Sequence, residues 1–138
     1  MTRATSGADH RILVIDDHPA IRRSLVEFLR SAGQVETACG GEEGLALADR
    51  FRPNAILVDW HMPVMDGAEF VRRYRRAQDS AAIILLSADP AVDDIAAELG
   101  VVALQKGTDP RGLSDCVVRL LRPQPEGAAG MRETASRL

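Results

Sequence analysis

The run Ala55-Ile56-Leu57-Val58 narrows the possible folds of this chain more than any other stretch. It is too short for a helix, and Arg52-Pro53-Asn54 closes it on the N-terminal side. A strand that is apolar at every position, rather than at alternate ones, is buried on both faces, as in a parallel sheet covered by helices. Residues 12–15, 83–86 and 101–104 read the same way. Residues 35–38 carry Glu36 and Thr37 and belong nearer a sheet edge.

Between these runs the apolar period changes to that of a helix. Pro19 suits a first turn, Ile21, Leu25, Phe28, Leu29 and Ala32 follow on one face, and Gly33 is expected to close that helix. A second helix carries Leu45, Leu47 and Ala48, with Phe51 after it. A third, over 67–77, buries Phe70, Val71 and Tyr74 and turns Arg72, Arg73, Arg75 and Arg76 to solvent. The remaining two are expected over 90–99 and 110–121, the last burying Leu113, Cys116, Val117, Leu120 and Leu121. Strand and helix alternate five times, which predicts an α/β fold with a doubly wound, five-stranded parallel sheet.

At 138 residues the chain is one domain with room for a real core. A formal net charge of −3 argues against general nucleic-acid binding. Nothing approaches the roughly 20 apolar residues of a membrane span, and the N-terminus lacks a signal-peptide core, so a cytoplasmic protein is expected. Cys39 and Cys116 form no metal or redox spacing. Residues 1–10 are expected to be a flexible arm, and the breaker-rich 123–138 a disordered tail. Sixteen of the 17 basic residues are arginine, and the exception, Lys106, follows the fifth strand.

Polar residues end four of the five strands: Asp16 and Asp17, Asp59, Ser87, and Lys106. In a parallel sheet those ends share one edge, where open α/β folds bind ligands. Clustered carboxylates repel, and a hard divalent cation with oxygen ligands, Mg²⁺, relieves that. Asp17 and Asp59 would bind it directly and Asp16 through water, with the His61 backbone carbonyl completing the set. The His61 side chain is expected to point outward, because imidazole suits Mg²⁺ poorly. With the cation, Ser87 and Lys106 would bind a tetrahedral oxyanion, and Asp59 is a carboxylate nucleophile able to become an acyl phosphate.

These residues bring a family into view. Asp16-Asp17, Asp59 within Asp59-Trp60-His61-Met62-Pro63-Val64-Met65-Asp66-Gly67, Ser87-Ala88 and Lys106 make the chain resemble the receiver domains of two-component response regulators, CheY-like proteins, over residues 11–122. The resemblance implies a flavodoxin-like strand order 2-1-3-4-5. It also implies that Asp59 accepts a phosphoryl group from a histidine kinase or phosphotransfer protein. Mg²⁺, with Mn²⁺ able to substitute, would sit on Asp16, Asp17 and Asp59, while Ser87 and Lys106 read the phosphoryl oxygens. Two positions depart from the pattern: Lys106 precedes Gly107 where receivers commonly have proline, and Ala103 stands where they often carry an aromatic switch. The switch region is expected at Ala88, Asp89 and Ala103, and the phosphoryl lifetime is expected to depend on His61 and Asp89.

The expected function is a stand-alone phosphorylation switch. Its output would run through an unknown protein partner, with no direct contact to nucleic acid or membrane. It would be a monomer or a weak homodimer through the last strand–helix face. No enzymatic activity is expected beyond phosphotransfer onto itself and self-dephosphorylation. The alternative is a degenerate receiver acting as a constitutive interaction module. A haloacid-dehalogenase-type phosphatase would need a second aspartate two residues after the first, where His18 stands. A flavin site would need a Ser/Thr/Gly-rich phosphate loop after the first strand.

Overall fold

The computed structural model describes residues 10–106 and 110–121. Its elements follow in the order β1 (Arg11–Ile15), α1 (Pro19–Leu29), β2 (Gln34–Ala38), α2 (Gly41–Phe51), β3 (Ala55–Asp59), α3 (Gly67–Ala77), β4 (Ala82–Ser87), α4 (Val92–Leu99), β5 (Val102–Gln105) and α5 (Pro110–Leu121). All strand pairings are parallel, in the order β2-β1-β3-β4-β5. The doubly wound sheet and its order are therefore as expected, with the more polar β2 at an edge.

Successive strand residues point to opposite faces, and each face has its own core. Leu13, Ile15, Ile56, Val58, Ile83 and Leu85 pack under α2, α3 and α4 with Phe70, Val71 and Tyr74. Ile12, Val14, Leu57, Ile84 and Leu86 pack under α1 and α5 with Leu25, Leu29, Leu113 and Val117. This double burial is why the strands read as unbroken apolar runs. A cavity of about 290 Å³ remains between α1, α5 and the ends of β4 and β5, with Phe28 and Ile21 on its wall.

Several expected boundaries shift. Helix α1 ends at Leu29, not at Gly33: Arg30 stays right-handed and returns its N–H to Val26, and a turn covers the next residues. Phe28 is 42% exposed rather than buried. Helix α4 begins at Val92, because residues 89–94 first make three-residue hydrogen bonds, Val92 N–H to Asp89 O and Asp93 N–H to Pro90 O. Leu120 and Leu121 are only partly buried. Arg72 and Arg73 pair with Glu69 on the solvent face as expected, but Arg75 reaches across to donate to the carbonyls of Leu99 and Gly100 at the end of α4. The expected tail lies outside the described residues, and so does the expected arm apart from His10.

Helix α3 fixes the far side of the β3 loop. Asp66 caps it by accepting the Glu69 N–H at 2.9 Å. Gly67 follows because nothing larger fits: a Cβ there would meet the Asp59 carbonyl oxygen at 2.5 Å. Its N–H instead donates to Trp60 O at 2.8 Å, folding the helix start tightly over the end of β3.

Candidate functional site

Each strand end delivers its polar residue to the same edge. Asp16 follows β1 and its N–H donates to Ala38 O, while the Arg22 guanidinium from α1 donates to its carbonyl at 2.6 Å. Asp59 closes β3 beside Leu86 of β4. Ser87 closes β4, and its carbonyl accepts the Lys106 N–H at 2.8 Å, which anchors the lysine at the end of β5. Asp16, Asp59 and Ser87 are buried; Asp17 and Lys106 are partly open to solvent.

The Lys106 ammonium joins the cluster. Its Nζ lies 3.1 Å from Asp16 Oδ2 and 3.2 Å from Asp59 Oδ2. Burial alone would lower the lysine's pKa, but Asp16 first and Asp59 second outweigh it, and the net shift is upward. Asp59 is also shifted upward, because burial disfavours its charge and Asp16 repels it; Lys106 and the His61 backbone amide pull the other way. One ammonium among three carboxylates leaves the pocket short of positive charge.

The shortage is visible atom by atom. Asp16 Oδ2 and Asp17 Oδ1 are buried and accept no hydrogen bond from the described residues. The Lys106 ammonium, 3.1 Å from the first, supplies positive charge to it. Ligand atoms of Asp16, Asp17, His18 and Asp59 all lie within 4.8 Å of one another. Buried carboxylate oxygens without donors, converging at that spacing, suit a hard divalent cation.

The β4–α4 loop and the β3–α3 loop meet over the pocket. Ser87 Oγ accepts the Asp89 N–H at 3.0 Å, and Asp89 Oδ1 accepts the Ala91 N–H at 2.9 Å. The other Asp89 oxygen lies 3.5 Å from His61 Nε2. His61 is exposed as expected, yet engaged: besides Asp89, it stacks on Trp60 with ring centroids 4.4 Å apart. Ala88 is exposed on the loop, whereas Ala103 is buried under α4 beside Leu85. Gly107 lies outside the described residues.

Asp16, Asp17, Asp59, Ser87 and Lys106, all expected at strand ends, meet at one edge of the fold. His18 is an addition to that set, since in the sequence it reads only as the residue before a helix-starting proline. In the fold the His18 N–H donates to Asp16 Oδ1 at 2.9 Å, and its Nδ1 lies 3.1 Å from that oxygen and 3.2 Å from Asp17 Oδ1.

Comparison with known proteins agrees with this geometry. Residues 12–115 match the model of the response regulator receiver domain. The chain belongs to that family. Among its relatives is the transcriptional regulatory protein PrrA of Mycobacterium leprae, 37% identical over 134 residues, covering 94% of this chain and 58% of PrrA. The nitrate/nitrite response regulator protein NarL of Escherichia coli is 33% identical over 123 residues, covering 86% of this chain and 55% of NarL. The chain thus spans little more than half the length of these relatives. In structure, the receiver is similar to the Vibrio cholerae chemotaxis protein CheY4, with a TM-score of 0.74 and 32% identity over 81% of this chain and 98% of that one. Among the receiver's described residues, no helix is long and apolar enough to cross a membrane.

Proposed function

We propose that this receiver is a phosphorylation switch whose acceptor is Asp59. The observation that supports it most is the reach of Lys106, within 3.2 Å of Asp59 Oδ2 and 3.1 Å of Asp16 Oδ2, at a strand edge that also carries Ser87. A carboxylate oxygen of Asp59 attacks the phosphorus of a phosphohistidine on a histidine kinase or phosphotransfer protein. The new phosphorus–oxygen bond forms as the phosphorus–nitrogen bond breaks, and the imidazole leaves with the electron pair and picks up a proton. Lys106 neutralises charge on the transferred group, and the Ser87 hydroxyl, whose oxygen already accepts from the Asp89 N–H, donates a hydrogen bond to a phosphoryl oxygen.

Asp16, Asp17 and Asp59, with the His61 carbonyl, would hold a divalent cation, Mg²⁺ or Mn²⁺. When bound, that ion screens the carboxylates from one another and offsets phosphoryl charge. The chain's chemistry is confined to its own phosphorylation and dephosphorylation, and its output is a contact with a partner protein. A constitutive interaction module would have no need to keep a buried nucleophile, a lysine and a hydroxyl together at one edge.

Incubation with a small-molecule acyl phosphate tests this. Intact-mass analysis should show one phosphoryl adduct in Mg²⁺, none in EDTA and none in Asp59→Asn. An adduct that survives in Asp59→Asn would move the acceptor elsewhere. His61→Ala and Asp89→Ala should each change the rate of adduct loss; unchanged rates in both would remove the loop pair from control of the lifetime.

A further inference from the structure

His18 gives the acidic pocket a donor that oxygen-only sites lack. Its ligand atom lies within 4.8 Å of those of Asp16, Asp17 and Asp59, and it sits at the N-terminal border of α1 with Pro19 behind it. The ring is 59% exposed at its side chain, so it can reach the pocket without a burial cost of its own. Its Nδ1 already faces one oxygen of each of the first two carboxylates, at 3.1 Å and 3.2 Å. One of these, Asp17 Oδ1, is buried without a hydrogen-bond donor, and so is Asp16 Oδ2.

Hard Mg²⁺ gains little from imidazole, whereas first-row transition ions gain from it and bind N/O sites in increasing order from Mn²⁺ upward. We infer that His18 is a nitrogen ligand of this pocket and that it tilts the site toward a divalent transition ion over Mg²⁺. The inference rests on the metal-dependent reading above and adds a ligand to it. The backbone supports the placement: the His18 N–H is fixed on Asp16 Oδ1 at 2.9 Å, and the proline that follows holds the chain in a helix-starting conformation. The ring is therefore tethered at the rim of the pocket and needs only side-chain rotation to turn a nitrogen toward an ion.

Mn²⁺ is the probe for the test, because its binding is followed by loss of the free-ion electron paramagnetic resonance signal and its ligands by nitrogen coupling. The full chain should bind Mn²⁺ more tightly than Mg²⁺ in competition and show coupling to an imidazole nitrogen. His18→Ala should abolish that coupling and reduce the Mn²⁺ over Mg²⁺ preference by roughly tenfold, the lower end of what altering a metal site's supporting residues costs. Its Mg²⁺ affinity should change little. His61→Ala should keep the coupling, which excludes the neighbouring imidazole as its source. Binding of both ions with no nitrogen coupling, or an unchanged preference in His18→Ala, would overturn the role of His18 while leaving the phosphorylation reading standing. Failure of either ion to bind would overturn the metal-dependent reading and this inference together.

Discussion

Two residues in the β3 segment hold unfavourable positions, and both are open to measurement. Asp59 is a carboxylate at 3% exposure whose pKa is raised by burial and by Asp16. A carboxylate raised in the folded state contributes stability that is full below its unfolded pKa and lost as pH rises through the folded one. Asp59 therefore weakens the metal-free fold at neutral pH. In EDTA, Asp59→Asn should raise the urea midpoint at pH 7, and the gain should shrink as pH falls toward the ordinary carboxylate range. A variant no more stable than the native chain at pH 7 would contradict the assigned shift. Val64 is the second case: a β-branched residue with φ of 71° and 98% of its surface exposed. That region strains β-branched side chains, and Asn tolerates it far better. Val64→Asn should stabilise the protein by about 1 kcal/mol in denaturant melts; a loss would mean that the side chain makes a contact worth more than its strain.

At the scale of elements, the tightest constraint lies where α3 meets β3. A methyl group added at Gly67 runs into backbone, the Asp59 carbonyl, as well as Leu85 Cδ1 at 2.8 Å. Backbone cannot step aside as a side-chain tip can, so Gly67→Ala should cost about 1–3 kcal/mol and move the end of β3, with chemical denaturation as the check. An unchanged midpoint would show that the helix start has room that the geometry denies. The same scale shows what could be read in advance. The strands were legible because both of their faces are covered, so four of them carry unbroken apolar runs. Helix ends were less so. Gly33 looks like a terminator, but the chain has already left α1 at Leu29 through a right-handed turn, and Pro90 marks a turn before α4 rather than its first residue. Arg75 reads as one more solvated arginine; only the packing of α3 against α4 reveals carbonyls within its reach.

For the whole molecule, parallel topology does most of the work of building the site. Four strand ends in the order β1-β3-β4-β5 lie side by side, so residues up to 90 positions apart, such as Asp16 and Lys106, become ion-pair partners. That convergence was legible because it depends only on strand identity and direction. The pairing of His61 with Asp89 and the approach of His18 to two carboxylates were not, since they depend on loop paths that no periodicity records. Trp60 lies between these parts: its N–H donates to Leu86 O, its ring stacks on His61, and it follows Asp59 directly. Its fluorescence is the most direct report on the pocket. Mg²⁺ should produce a saturable change, and beryllofluoride, a phosphoryl mimic, a second and larger one that Asp59→Asn abolishes. A beryllofluoride response that persists in Asp59→Asn, or no response to either addition, would contradict a phosphoryl switch centred on Asp59.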